Sequence, residues 1–394
     1  MGRPRVALLA NYPFDHATFR GGIQSATAAL LLGLRDYQDE FDFHVVSLSR
    51  AIPADVHENR EGIRFHFLRL PHQRWLRPRF PIRVVRTWAQ LRRIYPNLVH
   101  CQSDSAAALA AMLGAYPRLA TVHGVVRDEV HLRTGWEFWA ACAQVPLERL
   151  TYRHFQHFVC ISRYAERVVG DKAHTYAIPN AVDRRFFQLE RSARNHVSPY
   201  VLFVGVLAPL KRPVDLLLAH LRLRQEFPTL ATVLCGHTED VRYERSMRRM
   251  VADQAIEGVE FVGHASRERL AELLSGATAL VLPSAQENAP MVIAEAMAAG
   301  VPVVATRVGG IPDMIQHGDT GLLYEPGDVD ALTSCLRGLL GDAAQSARMG
   351  MAARRWAHQT YSPERVAAAT VGVYRRLLRM QTGEVGACRP SAGR

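Results

Sequence analysis

The sequence predicts an α/β protein of two doubly wound domains in series, facing each other across a cleft. Three observations carry that prediction. The chain has 394 residues, more than one hydrophobic core ordinarily supports. Its composition, 48% hydrophobic and 22% charged, is that of a chain that folds. Short apolar runs alternate with amphipathic stretches from end to end, the pattern of parallel strands joined by helical crossovers.

In the first half, Val6–Ala10, Phe43–Leu48, Ile63–Leu68, Leu98–Cys101, Leu119–Thr121, Phe158–Ile161 and Thr175–Ile178 predict strands. Helices are expected between them at Ile23–Asp36, Val84–Ile94, Ser105–Leu113 and Arg163–Val169. A polar interval, roughly Glu190–Pro199, breaks the alternation and predicts a linker. The pattern restarts with strands at Tyr200–Val204, Ala231–Cys235, Val259–Val262, Ala279–Leu282 and Val303–Ala305. Helices are expected at Val214–Phe227, Tyr243–Gln254, Arg267–Leu274 and Met291–Ala299, and last at Pro363–Met380. The resulting division is a domain over 1–192, a second over 193–362, a helix over 363–382 packing back on the first, and a mobile tail over 383–394. In such folds ligands gather at the carboxyl ends of the strands.

The apolar run after Met1 is too short for a secretory leader, and no stretch of about 18 uncharged apolar residues exists to span a bilayer. The six cysteines (101, 142, 160, 235, 335 and 388) lie far apart without a Cys-x-x-Cys. A cytoplasmic protein with reduced thiols is expected, without disulfides or a zinc site. Net charge is +11, and ten arginines (60, 64, 69, 74, 77, 79, 83, 86, 92 and 93) interleave with Trp75, Phe80 and Trp88. Basic residues with aromatic anchors suit an anionic membrane, here its inner face; a solvated arginine-rich surface fits the segment equally. Nucleic acid is not expected as a partner, because no recognised binding signature accompanies the charge.

The stretch richest in chemistry runs from Pro283 through Glu287, Asn288, Ala289, Pro290, Met291 and Glu295 to Gly300 and Pro302. A predicted strand leads into a loop holding Glu287, and Pro290 sits where proline favours the first helical turn. Glu287 and Glu295 are eight residues apart. On one helix they would stand about 80° apart; with Glu287 in the loop, both face the cleft. The helix N-terminus offers N–H groups and a positive dipole to a diphosphate or sugar hydroxyls. Glu295 interrupts an otherwise apolar helix, and a charge buried there needs a partner.

This segment resembles the Glu-x7-Glu signature of the large retaining glycosyltransferase family 4, whose GT-B fold pairs two Rossmann-like domains. Val201-Leu-Phe-Val-Gly205 followed by Lys211 is similar to the family's strand, glycine and phosphate-binding lysine. Val259-Glu-Phe-Val-Gly263-His264 resembles the segment whose backbone meets the nucleobase. Gly309-Gly310-Ile-Pro-Asp313 and Gly321-Leu-Leu-Tyr-Glu-Pro-Gly327-Asp328 look like its closing loops. In the first half, Gly21-Gly22-Ile-Gln, Thr121-Val-His123-Gly and Ile178-Pro-Asn180-Ala-Val-Asp183 match a Gly-Gly loop, a cleft histidine and an inter-domain motif. The matches run in order from about residue 5 to residue 330.

The resemblance implies a UDP- or GDP-linked sugar as co-substrate, no other cofactor, no catalytic metal, and a glycan or lipid-linked acceptor. It implies that Glu295 holds the ribose hydroxyls and that Glu287 faces the transferred sugar. Lys211, helped by Arg212, neutralises the diphosphate. Gly21 and Gly22 allow close backbone approach, and His123 lies against the sugar or phosphate. The family commonly carries Arg after the glycine matching Gly205; here Val206 stands there, and Arg212 replaces a frequent glycine. Asp313 stands where Glu is more usual. Asp328-Val-Asp330 has the Asp-x-Asp form of a metal site, but Asp328 precedes the amphipathic run Ala331–Leu340 and is expected to cap a helix. A non-catalytic nucleotide-sugar binder and a nucleotide-sugar epimerase or hydrolase are the alternatives; a dinucleotide dehydrogenase lacks its Gly-x-Gly-x-x-Gly.

Overall fold

Two sheets organise the computed structural model of the chain. It describes residues 2–382 apart from 17, 20, 71–78, 103–104, 131–134, 172, 191–198 and 239. Residues 191–198 of the expected linker, the tail over 383–394, Arg74, Trp75, Arg77 and Cys388 lie outside the described residues.

The first sheet contains β1 (Arg5–Leu9), β2 (Asp42–Ser49), β3 (Val56–Arg60), β4 (Ile63–Arg69), β5 (Leu98–Cys101), β6 (Arg118–Val122), β7 (His157–Cys160) and β8 (His174–Ala177). Its order is β3-β4-β2-β1-β5-β6-β7-β8, parallel except for β3 against β4. The second contains β9 (Tyr200–Val204), β10 (Ala231–Cys235), β11 (Val259–Gly263), β12 (Ala279–Leu282), β13 (Val303–Thr306) and β14 (Leu322–Tyr324). Its order is β11-β10-β9-β12-β13-β14, parallel throughout. Parallel strands are covered on both faces, hence the almost unbroken apolar runs: every residue of β12 and β13 is buried.

In the first half the helices are α1 (Gly22–Leu34), α2 (Arg79–Ile94), α3 (Ser105–Met112), α4 (Val126–Glu129), α5 (Gly135–His154), α6 (Arg163–Val169) and α7 (Arg184–Phe187). The second half has α8 (Pro213–Leu223), α9 (Val241–Asp253), α10 (Arg267–Gly276), α11 (Met291–Ala298), α12 (Ile311–Met314), α13 (Val329–Gly341) and α14 (Ala343–Tyr361). A final helix, α15 (Pro363–Thr382), returns to the first sheet. Val366, Val371 and Leu377 join the core formed by Val6, Leu8 and Leu98, and Tyr374 is wholly buried there. The fit is tight at Gly33, where a Cβ would lie 2.2 Å from the Pro363 carbonyl oxygen.

The expected elements occur with ends displaced by a few residues, and seven more appear: β3, β14, α4, α5, which contains Pro146, α7, α12 and α14. Of Trp75, Phe80 and Trp88 in the basic segment, Phe80 and Trp88 are described, and both are partly buried. They pack with Val84 against Ala106 and Ala110 of α3.

Candidate active site

Each sheet reverses its strand order beside its first strand, β1 or β9, and the loops at those carboxyl ends converge on one cleft. The cleft has a volume of about 510 Å³. The first half supplies Gly21, Gly22, Ser25, His123 and Asn180; the second supplies Gly205, Val206, Lys211, His264, Arg267 and the run from Glu287 to Val292, with Glu295.

Lys211 ends a short 3-10 turn after β9, with its Nζ 2.5 Å from Glu287 Oε1. The Ser284 hydroxyl donates to the same oxygen at 2.8 Å. Ser284 is itself fully buried, and its carbonyl accepts from Thr306 Oγ1 at 2.6 Å. The Glu287 loop lies against Gly309, whose φ is +53° and whose Cβ would fall 1.6 Å from the Glu287 carbonyl oxygen. Only glycine fits that contact and that backbone.

Asn288 joins the halves. Its amide nitrogen donates to the carbonyls of Val122 (2.9 Å) and His123 (3.2 Å), and its oxygen accepts from Ser162 Oγ (2.5 Å). Its side chain is therefore structural, and its backbone is what remains for a ligand. Ala289, Pro290 and Met291 form the adjoining wall, with Pro290 as the N-cap of α11, one position earlier than the first helical residue. Asp313 adds a second tie by accepting from the Arg163 backbone N–H at 2.8 Å.

Glu295 is 6% exposed, with its carboxyl pushed up to about 7 by burial. The Arg267 charge opposes that rise and the Asp183 charge reinforces it. His123 is held as a neutral imidazole. Burial lowers it to about 4, and its Nε2 lies 2.7 Å from Gln102 Oε1, an acceptor, so the proton is on Nε2. The chain continues from Gln102 Nε2 to His100 Nε2 (3.1 Å), and from His100 Nδ1 to the Tyr374 hydroxyl (2.6 Å). His123 thus presents Nδ1 as an acceptor, and near neutral pH it is no acid.

Two of the expected residues, Arg212 and Gly263, are not among those lining the cleft, whereas Gly21 and Gly22 are. Arg212 does not reach the cleft. Its backbone is left-handed (φ 48°, ψ 41°) between the 3-10 turn and α8, and its guanidinium bonds Asp215 of α8 at 2.8 and 3.2 Å. Gly263 is not part of the wall, which His264 and Ala265 form; its carbonyl accepts from Gly236 N at 2.8 Å. A Cβ on Gly22 would sit 3.2 Å from Met291 Cγ, and one on Gly21 would meet no protein atom. Asp328, by contrast, caps α13, its side chain accepting from Ala331 N at 2.8 Å. Among the described residues no group of three His, Cys, Asp or Glu is placed to hold a metal ion.

Sequence reasoning missed Arg267. It opens α10, lines the cleft and ion-pairs with Asp183 at 2.6 Å with only 13% of its side chain exposed. Its partners lie far away in the chain, so no local pattern marks it.

Comparison with known proteins agrees with this architecture. The model described as Glycosyltransferase Family 4 matches residues 20–186, and that described as Glycosyl transferases group 1 matches 185–356. The MMP α-(1→4)-mannosyltransferase of Mycolicibacterium hassiacum is 30% identical over 334 residues, 78% of this chain and 76% of that one. A sucrose-phosphate synthase structure from Thermosynechococcus elongatus superposes with a TM-score of 0.81 at 21% identity, covering 96% of this chain and all of the other. The Anabaena protein HepE, solved in complex with UDP, superposes at 0.71 with 18% identity over 95% of this chain and 100% of its own. The chain belongs to glycosyltransferase family 4 and is a sugar transferase of the GT-B fold.

Proposed function

We propose that the cleft binds a UDP- or GDP-linked sugar and that the enzyme passes its hexose to a glycan or lipid-linked acceptor with the anomeric configuration kept, in building cell-surface polysaccharide or glycolipid. The observation that carries this reading is the gathering of Lys211, Glu287 and Glu295 beside the α11 N-terminus in one cleft. A nucleobase fits the walls after β9, β10 and β11, where Gly205, Gly236, His264 and Ala265 leave backbone accessible. Glu295 then accepts from the ribose diol, and the diphosphate meets Lys211 and the first N–H groups of α11.

Breaking the bond to the sugar places negative charge on the diphosphate and positive charge on the ring. Lys211 neutralises the first, so it transfers its charge from Glu287 to the phosphate as the donor enters. Glu287, held by Ser284, stays near the sugar as a hydrogen-bond acceptor. His123 accepts from a sugar hydroxyl through Nδ1. The acceptor hydroxyl attacks from the face that the leaving group vacates, and the departing phosphate takes its proton. No step uses a metal.

Among the described residues no helix is long and apolar enough to cross a membrane. A peripheral contact at the inner face of the membrane rests on exposed Arg92, Arg93, Val85 and Trp139, and flotation with and without anionic lipid tests it. The main test is turnover over a panel of UDP- and GDP-sugars, with the product anomer read by NMR. An α-linked product from an α-linked donor is expected. Binding without turnover of any donor overturns the catalytic reading, and an inverted product overturns retention.

A further inference from the structure

We propose that Arg267 is a positioning residue of the donor site: it latches the Gly21–Gly22 turn of the first half to the second and carries the cleft's second positive charge in addition to that of Lys211. The proposal rests on the nucleotide-sugar reading of the cleft.

One guanidinium reaches three groups from the other half. Nη1 lies 2.6 Å from Asp183 Oδ2, Nη2 donates to the Ser25 carbonyl at 3.3 Å, and the guanidinium carbon stands 3.8 Å from the Phe19 ring centre. Phe19 and Ser25 flank Gly21 and Gly22, so the contact grips the turn on both sides. A planar fork can stack and donate in two directions at once, whereas an ammonium cannot.

The charge pattern points the same way. Position 206 is valine, and Arg212 is spent on Asp215. Lys211 and Arg267 are the lysine and arginine side chains among the described residues lining the cleft, set against Glu268, Glu287 and Glu295. Lys211 is matched by Glu287 at 2.5 Å. Arg267 faces Asp183, Glu295, Arg185 and Tyr12, and Glu295 faces Arg267 and Asp183. Without the Arg267 charge, Glu295 takes its proton at a higher pH and loses the charged form that binds a diol most strongly.

The test measures UDP and GDP affinity, donor KM and kcat, and the pH profile of kcat/KM for wild type, Arg267→Met and Arg267→Lys. Arg267→Met should raise donor KM about tenfold or more, with a smaller change in kcat, and move the acid limb to higher pH. Arg267→Lys should restore the acid limb but only part of the KM. A lowered Tm with KM and acid limb unchanged overturns the proposal. If Arg267→Met does not fold, Phe19→Leu decides: a KM raised a few-fold with an unmoved acid limb supports the latch, and an unchanged KM overturns it. Wild type that binds no nucleotide refutes the donor-site reading and this proposal with it. Wild type that binds, with Arg267 variants indistinguishable from it, refutes the latch alone.

Discussion

Glu295→Gln removes a charge that the folded chain holds against burial. The carboxyl rises from 4.5 to about 7 on folding, so the folded chain binds this proton more tightly than the unfolded one. The sign follows from linkage. Below about pH 4.5 both states are protonated and the residue has no net effect. Stability then falls as pH rises through 4.5 to 7, and above 7 the loss is complete. A rise of that size corresponds to about 3 kcal/mol. Glutamine keeps the shape and carries no charge, so unliganded Glu295→Gln should match wild type near pH 4.5 and exceed it above pH 7. For a domain of this size the gain in Tm at pH 8 is roughly 6 °C or more. Thermal melts followed by circular dichroism at several pH values measure it. Donor affinity should fall together with this gain, by about 1–1.5 kcal/mol for each charge-assisted bond to the ribose that becomes a neutral one. A variant no more stable than wild type at pH 8, or one whose advantage is the same at pH 5 and pH 8, refutes the reasoning.

Other predictions address separate parts of the site. Lys211→Ala should lower transfer by about 10²–10³-fold at an unchanged Tm, because Ser284 still holds Glu287; steady-state rates and melting curves check both. Gly309→Ala forces a Cβ into the Glu287 carbonyl at φ +53°, and should cost about 1–3 kcal/mol in urea titration and depress kcat. Asp328→Ala removes the α13 cap and should cost about 1 kcal/mol, while rates with and without chelator stay equal in both proteins. A rate that only added metal restores would contradict the capping role.

Strands buried on both faces were legible because nothing but apolar residues suits them: Tyr200–Val204 and Ala279–Leu282 end in the structure where their apolar runs end. β3 was hidden because it is an antiparallel edge strand of Val-His-Glu-Asn-Arg, with one side chain in five apolar. β14 has only three residues, and Pro146 masks α5. In the site, the approach of Lys211 and Glu287 to one cleft was legible from the resemblance, and β9 and β12, which they follow, adjoin in the sheet order; their ion pair was not. The direction of Arg212 was not, since a left-handed backbone at one residue sends a side chain the other way without leaving a mark in composition. The role of Arg267 depends on Phe19, Ser25 and Asp183, which only the folded chain brings to it.

A crystal structure with a nucleoside diphosphate tests the central claim most directly. The account predicts a diphosphate against Lys211 and the start of α11, with the ribose hydroxyls on Glu295. A nucleotide seated outside this cleft, or inside it with its phosphates away from Lys211, would contradict it.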